Sequence, residues 1–204
     1  MGRLVGADEP GSWHAGRASE NIRFELREPR GTRPGYHAIT MTSGQERGAD
    51  SDFESAMIDA YAVALQAART GLAEGGIPIG SALFAGDRLL ATGWNQRVQK
   101  SSAILHAEMD CLQNAGRPRA SWGDRLVLYT TLSPCMMCAA ASLIYGVTDV
   151  VIGDNKTFVA GEELLSRSGV TLHVINDEET IKMFSKWTLA NPELWSEDIG
   201  RRRG

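Results

Sequence analysis

From Asp52 onward the apolar positions switch between a period near 3.6 and a period of 2, and each switch marks a new element. In DFESAMIDAYAVALQAARTGLAEGG, Phe53, Met57, Tyr61, Ala64, Leu65, Ala68 and Leu72 share one face. That predicts an amphipathic helix, stopped by Gly75 and Gly76. PIGSALFAGDRLLATGWNQ has two short apolar runs on either side of Gly86 and Asp87, the pattern of a hairpin. SAILHAEMDCLQNAG predicts a helix from near Leu105 to residues 114–116. DRLVLYTTL is a continuous apolar run, as expected of a strand buried on both faces. A helix over CMMCAAASLIYGV ends at Gly146. TDVVIGD reads as a strand, EELLSRSG as a short helix, VTLHVIN as a strand, DEETIKMFSKWTLAN as a helix and PELWSEDIG as a last helical turn. Helices interleaved with strands imply a partly parallel sheet covered on both faces, and the early hairpin makes it mixed. The expected fold class is α/β, a three-layer α/β/α sandwich around a mostly five-stranded sheet.

Residues 1–50 lack this regularity. EPRGTRPGYHAITMTSGQERGAD is rich in Gly, Arg, Thr and Pro and has no sustained period, so residues 1–50 read as a disordered or loosely attached extension. One short strand is expected at NIRFELR, where Ile22, Phe24 and Leu26 alternate with polar residues. Trp13, His14 and His37 carry no functional assignment. Starts at Met41 or Met57 would make the segment a translated leader. Residues 51–204 form one domain.

Charge narrows the partners. The net charge is −4, and residues 1–50 balance seven basic against seven acidic side chains, so the whole excess lies in residues 51–204. An acidic domain argues against a nucleic-acid surface. The basic cluster at residues 201–203 reads as a solvated tail. Three cysteines make a disulfide framework improbable and suit a cytoplasmic protein. The start MGRLVGADEP has no apolar core of a secretory signal, and no run reaches the roughly 18 apolar residues of a membrane span.

Chemistry enters at two predicted helix starts. Pro134-Cys135-Met136-Met137-Cys138 follows a strand, and His106-Ala107-Glu108 opens another helix. A helix N-terminus favours thiolate over thiol. Cys135 and Cys138, at i and i+3, share a face, and His106 can add a nitrogen. Three protein ligands with one open position is the pattern of a catalytic zinc, whose bound water ionises near neutral pH. Glu108 can face that water without ligating the metal and move its proton. A lone Cys-x-x-Cys at a helix start also fits a redox pair. The joint pattern is more specific: His-x-Glu, roughly 25 residues, then Pro-Cys-x-x-Cys, as in the zinc nucleobase deaminases. Cys111 and His173 read as core and strand residues, and Met136 and Met137 as packing residues.

With those motifs the chain resembles the cytidine and deoxycytidylate deaminase superfamily. It looks most like the fungal-type cytosine deaminases, over nearly all of residues 53–200. The landmarks are EGGIPIGSALF, GWNQRVQKSSAILHAE, LYTTLSPCMMC, VVIGDNKTF and LWSEDIG. The resemblance implies zinc held by His106, Cys135 and Cys138, with Glu108 as proton shuttle. It implies that Asn95 and the Ala107 backbone N–H bind the N1/O2 edge of a free pyrimidine base. The Ser133 carbonyl and the Asp198 carboxylate would face the exocyclic amine. Phe158 and Trp195 would close over the ring, with Ile79 and Leu132 as walls. It also implies a homodimer with a small-molecule nucleobase substrate, hydrolytic deamination of cytosine to uracil, and a place in pyrimidine salvage. Two positions depart from the family. Ala107 replaces a glycine, and its methyl is expected to crowd or redirect the base; Ser196 replaces an aromatic residue and is expected to loosen the C-terminal lid. The alternatives are a deaminase of another small cyclic amidine such as creatinine, of a nucleoside or of tRNA adenosine, or a non-catalytic zinc-stabilised module.

Overall fold

The computed structural model describes residues 36–38 and 49–200, with side chains from residue 56 onward. The elements are β1 (Tyr36–Ala38), α1 (Ala49–Ala73), β2 (Gly80–Ala85), β3 (Arg88–Trp94), α2 (Arg97–Lys100), α3 (Ala107–Ala115), β4 (Leu126–Thr130), α4 (Met136–Tyr145), β5 (Asp149–Ile152), α5 (Glu162–Arg167), β6 (Thr171–Val174), α6 (Glu178–Ala190) and α7 (Pro192–Asp198). A 3-10 turn at Ala120–Trp122 precedes β4. The strand expected at residues 22–26, Trp13, His14 and the cluster at residues 201–203 lie outside the described residues, as does the His37 side chain.

The sheet order is β1-β6-β5-β4-β2-β3. β4, β5 and β6 run parallel, and the β2–β3 hairpin adds antiparallel to β4 through β2. The five strands between residues 80 and 174 form the expected mixed sheet, and β1 adds a short parallel sixth at the β6 edge.

Strand alternation divides the core in two. Leu83, Leu128, Val150, Ile152 and Leu172 point to the face covered by α3, α4 and α5. Ala82, Phe84, Val127, Tyr129 and Val151 point to the opposite face, against Met57, Tyr61, Ala64 and Leu65 of α1. β4 is therefore buried at every position because both its faces are covered. Of the predicted face of α1, Met57, Tyr61, Ala64, Leu65 and Ala68 are buried and Leu72 in the last turn is exposed. A third apolar cluster, with Ile77, Ile79, Ala107, Leu132, Phe184 and Trp187, sits beyond the sheet's end, against α6. That end holds the C-termini of β4 and β5 and the N-termini of α3 and α4, the usual location of ligand crevices in open α/β sheets.

Candidate metal centre and base pocket

His106 and Cys135 are the N-cap residues of α3 and α4. Both have extended backbone dihedrals, and neither side chain caps its own helix. Each is thus free to face the space between the two helix ends. Cys138, one turn into α4, is buried beside them. One donor atom from each of His106, Cys135 and Cys138 can be chosen so that all lie within 4.8 Å of one another.

The donor set fits zinc. Cys135 Sγ is 3.5 Å from His106 Nδ1. A tetrahedral ion with Zn–S near 2.3 Å and Zn–N near 2.0 Å spaces these atoms by about 3.5 Å. The other ring nitrogen, Nε2, faces Asp198 Oδ1 at 3.7 Å. A carboxylate there favours a proton on Nε2 and leaves Nδ1 as the donor. The two thiols shift in opposite directions. A hydrogen bond from Cys138, and His106 beside it, pull Cys135 down to about 4 although burial opposes this. The same Cys135 thiolate, with burial, pushes Cys138 well above the ordinary thiol value. Burial would lower the His106 imidazole, but the bond to Cys135 and the Asp198 carboxylate outweigh it and raise it.

Glu108 lies in the first turn of α3, buried, and lines the same cleft as His106 and Cys135. Burial, then the Cys135 thiolate, lift its carboxyl above the usual carboxylate range. Thr130, the last residue of β4, holds it: Thr130 Oγ1 is 3.0 Å from Glu108 Oε1 and 3.1 Å from the Leu132 carbonyl. Sequence reading passed over Thr130, because a β-branched residue in a strand is ordinary.

The cleft has an empty volume of about 300 Å³. Ile79 and Leu132 form apolar walls, as expected, and Ser133, Phe158, Trp195 and Asp198 also line it. Ile199 joins them and was not anticipated. Trp195 packs edge-on to Phe158, with centroids 5.4 Å apart, and to Phe184, at 5.1 Å. Ser133 is held by its N–H donating to the Asp154 carbonyl at 2.8 Å, and its hydroxyl is buried with no partner among the described residues. Ser196 is half-buried beside Trp195 in α7.

Two expected base contacts stand further back. Asn95 is fully buried, donating from Nδ2 to Asp198 Oδ1 at 3.1 Å and accepting the Arg97 N–H at 3.0 Å. Ala107 is also fully buried, and its methyl belongs to the apolar cluster with Ile79, Leu132 and Phe184. It is absent from the cleft lining, although Ile79 and Leu132 of the same cluster are walls of that cleft. Cys111 lies in the main core on α3, away from the donor set, its thiol pushed up to about 12 by burial. His173 is likewise structural, with Nε2 3.2 Å from Asp149 Oδ1. Met136, by contrast, is exposed and packs into no core.

A three-layer sandwich with a His-Cys-Cys donor set at two helix N-termini, and a buried carboxylate outside that set, defines a zinc-dependent hydrolytic deaminase. Residues 54–154 match the cytidine and deoxycytidylate deaminase zinc-binding region, and the chain belongs to that family. It is 48% identical to a cytosine deaminase of Candida albicans over 140 residues, which is 68% of this chain and 93% of the relative. A tRNA-specific adenosine deaminase of Bacillus subtilis is 34% identical over 91 residues, 44% of this chain and 56% of that one. Among solved structures, a guanine deaminase from Nitrosomonas europaea superposes with a TM-score of 0.56 at 20% identity, covering 74% of this chain and all of that one. The fold is shared; substrates differ across these relatives.

Proposed function

We propose that this protein hydrolyses free cytosine to uracil and ammonia. The observation that carries the reading is a buried carboxylate, Glu108, facing the same small cleft as the three donors without belonging to them. Apolar walls at Ile79 and Leu132, with a few polar groups such as Ser133 and Asp198, suit a small flat base. The similarity to the Candida albicans enzyme across 93% of its length supports the same substrate.

His106, Cys135 and Cys138 would hold the zinc. When bound, zinc lowers the pKa of water to about 7 and so supplies the nucleophile. The chain's own residues do the rest. Glu108 takes the proton from the attacking water and delivers it to N3 as C4 is attacked. It then carries the second proton to the amine, the C4–N4 bond breaks and ammonia leaves. Thr130 keeps the Glu108 carboxylate turned toward the cleft. By the family resemblance the N1/O2 edge falls to Asn95 and to the Ala107 N–H at the open N-terminus of α3, both set just behind the cleft lining. The Ser133 carbonyl and Asp198 accept from the exocyclic amine. Phe158 and Trp195 cover the ring, and Ile79 and Leu132 exclude water beneath it.

The test is ammonia release from cytosine, 5-methylcytosine, cytidine, creatinine and guanine. Cytosine should turn over with the highest kcat/KM, and a preference for cytidine or guanine refutes the substrate reading. Glu108→Gln should keep zinc and lose turnover by at least about 10²-fold, the scale of a proton shuttle. Cys135→Ser should instead lose the metal, read by elemental analysis.

We also propose a homodimer acting in pyrimidine salvage in the cytoplasm. Three cysteines with no disulfide between them suit a reducing compartment. Among the described residues no helix is long and apolar enough to cross a membrane. Met136 and Ile144 are exposed large apolar side chains on α4, which supports a partner on that helix.

A further inference from the structure

Three groups converge on one oxygen of Asp198. Its Oδ1 lies 3.1 Å from Asn95 Nδ2, 3.3 Å from an Arg97 guanidinium nitrogen and 3.7 Å from His106 Nε2. The other oxygen, Oδ2, is the one left with capacity for a ligand, on a side chain that lines the cleft. Arg97 in turn is fixed from several sides. Its second terminal nitrogen is 3.2 Å from Glu197 Oε1, its Nε donates to the Ser102 carbonyl at 3.3 Å, and its backbone N–H donates to Asn95 Oδ1 at 3.0 Å. The guanidinium therefore spans two successive carboxylates at the end of α7 while tied to the segment between α2 and α3.

We propose that Arg97 is the positioning residue that turns Asp198 toward the exocyclic amine of the base. The proposal rests on the reading above that Asp198 accepts from that amine. The physical argument starts from burial. The Asp198 side chain is 4% exposed and that of Arg97 12%, so this pair is held out of water, and a buried carboxylate stripped of its partner is costly. The Glu197 side chain is 69% exposed, so that contact adds little energy. Its role is orientational, because two points fix the rotation of the last turn of α7. Trp195 lies one turn before Asp198 and lines the same cleft, so the clamp sets the aromatic cover and the amine acceptor together. A planar fork with three anchored nitrogens can do this; a lysine point charge cannot.

The test separates amine recognition from general damage. Equilibrium binding is measured on zinc-loaded E108Q and on E108Q/R97A, with cytosine and with pyrimidin-2-one, which has hydrogen in place of the amine. R97A should weaken cytosine about tenfold or more and pyrimidin-2-one by less than about threefold, the difference of one charge-assisted hydrogen bond. Equal losses for both ligands, or no loss for cytosine, overturn the proposal. Should R97A fail to fold by circular dichroism, R97K carries the same comparison with a ratio of about threefold, since it keeps charge but cannot bridge both carboxylates. Failure of the parent protein to deaminate cytosine refutes the substrate reading itself. Turnover of cytosine with an unchanged ligand ratio refutes only the role of Arg97.

Discussion

Glu108 can serve as a proton shuttle only if its carboxylate is aimed, and Thr130 is the side chain that aims it. The hydroxyl contacts Glu108 Oε1 at 3.0 Å inside a fully buried environment. Thr130→Val keeps the shape and removes the hydroxyl. We expect kcat to fall about tenfold or more, on the scale of other lost second-layer contacts, with zinc content preserved. Stability should drop by about 1 kcal/mol for the lost hydrogen bond. Steady-state kinetics with elemental analysis checks this, and an unchanged kcat refutes the aiming role. At this scale the sequence shows the donors well and places Glu108 beside them, because His106, Glu108, Cys135 and Cys138 carry chemistry in a spacing that few other patterns share. Thr130, Arg97 and Ile199 were illegible for the opposite reason. Each is an ordinary residue type whose role comes from contacts with distant segments, as between Arg97 and Asp198.

Among the elements, α3 ties the fold to the donor set, because His106 is its N-cap, Glu108 lies in its first turn, and it packs directly on β3. A side chain at Gly93 of β3 would place its Cβ 2.2 Å from the Cys111 nitrogen and 2.7 Å from the Ala107 carbonyl oxygen, both backbone atoms of α3. The helix must shift to admit it. Gly93→Ala should therefore cost about 3 kcal/mol, at the upper end of overpacking effects, and weaken zinc binding as His106 moves. Gly86 offers a comparison: its φ is +62°, but an added Cβ meets nothing within 4 Å. Gly86→Ala should cost about 1 kcal/mol through backbone strain alone and leave zinc affinity intact. Urea unfolding and chelator competition on both variants read these differences, and equal zinc affinities would contradict the coupling of α3 to the donor set. The long periodic elements were legible from their apolar spacing. α2, the 3-10 turn and β1 were not, because three or four residues cannot display a period.

On the scale of the whole molecule, the two main cores are closed by the protein's own helices, yet α4 keeps large apolar side chains in water. Ile144 is 89% exposed and Met136 55%. They are eight residues apart with Ala140 between them, so all three lie on one face of α4. The same helix presents Cys135 and Cys138, so a partner on this face would buttress the metal centre. The expected assembly is a two-fold dimer in which each chain's Ile144 is buried by the other. Sedimentation should then report a particle of twice the 22.1 kDa chain mass. Fully burying an isoleucine contributes about 1.5–3 kcal/mol, and a two-fold interface loses two at once. Ile144→Glu should therefore weaken dimerisation by about 10²- to 10⁴-fold, at 1.4 kcal/mol per decade. The variant should sediment as a monomer at micromolar concentration and lose thermal stability in a concentration-dependent way. A parent protein that sediments as a single chain, or an Ile144→Glu variant that remains dimeric, would remove α4 as the interface.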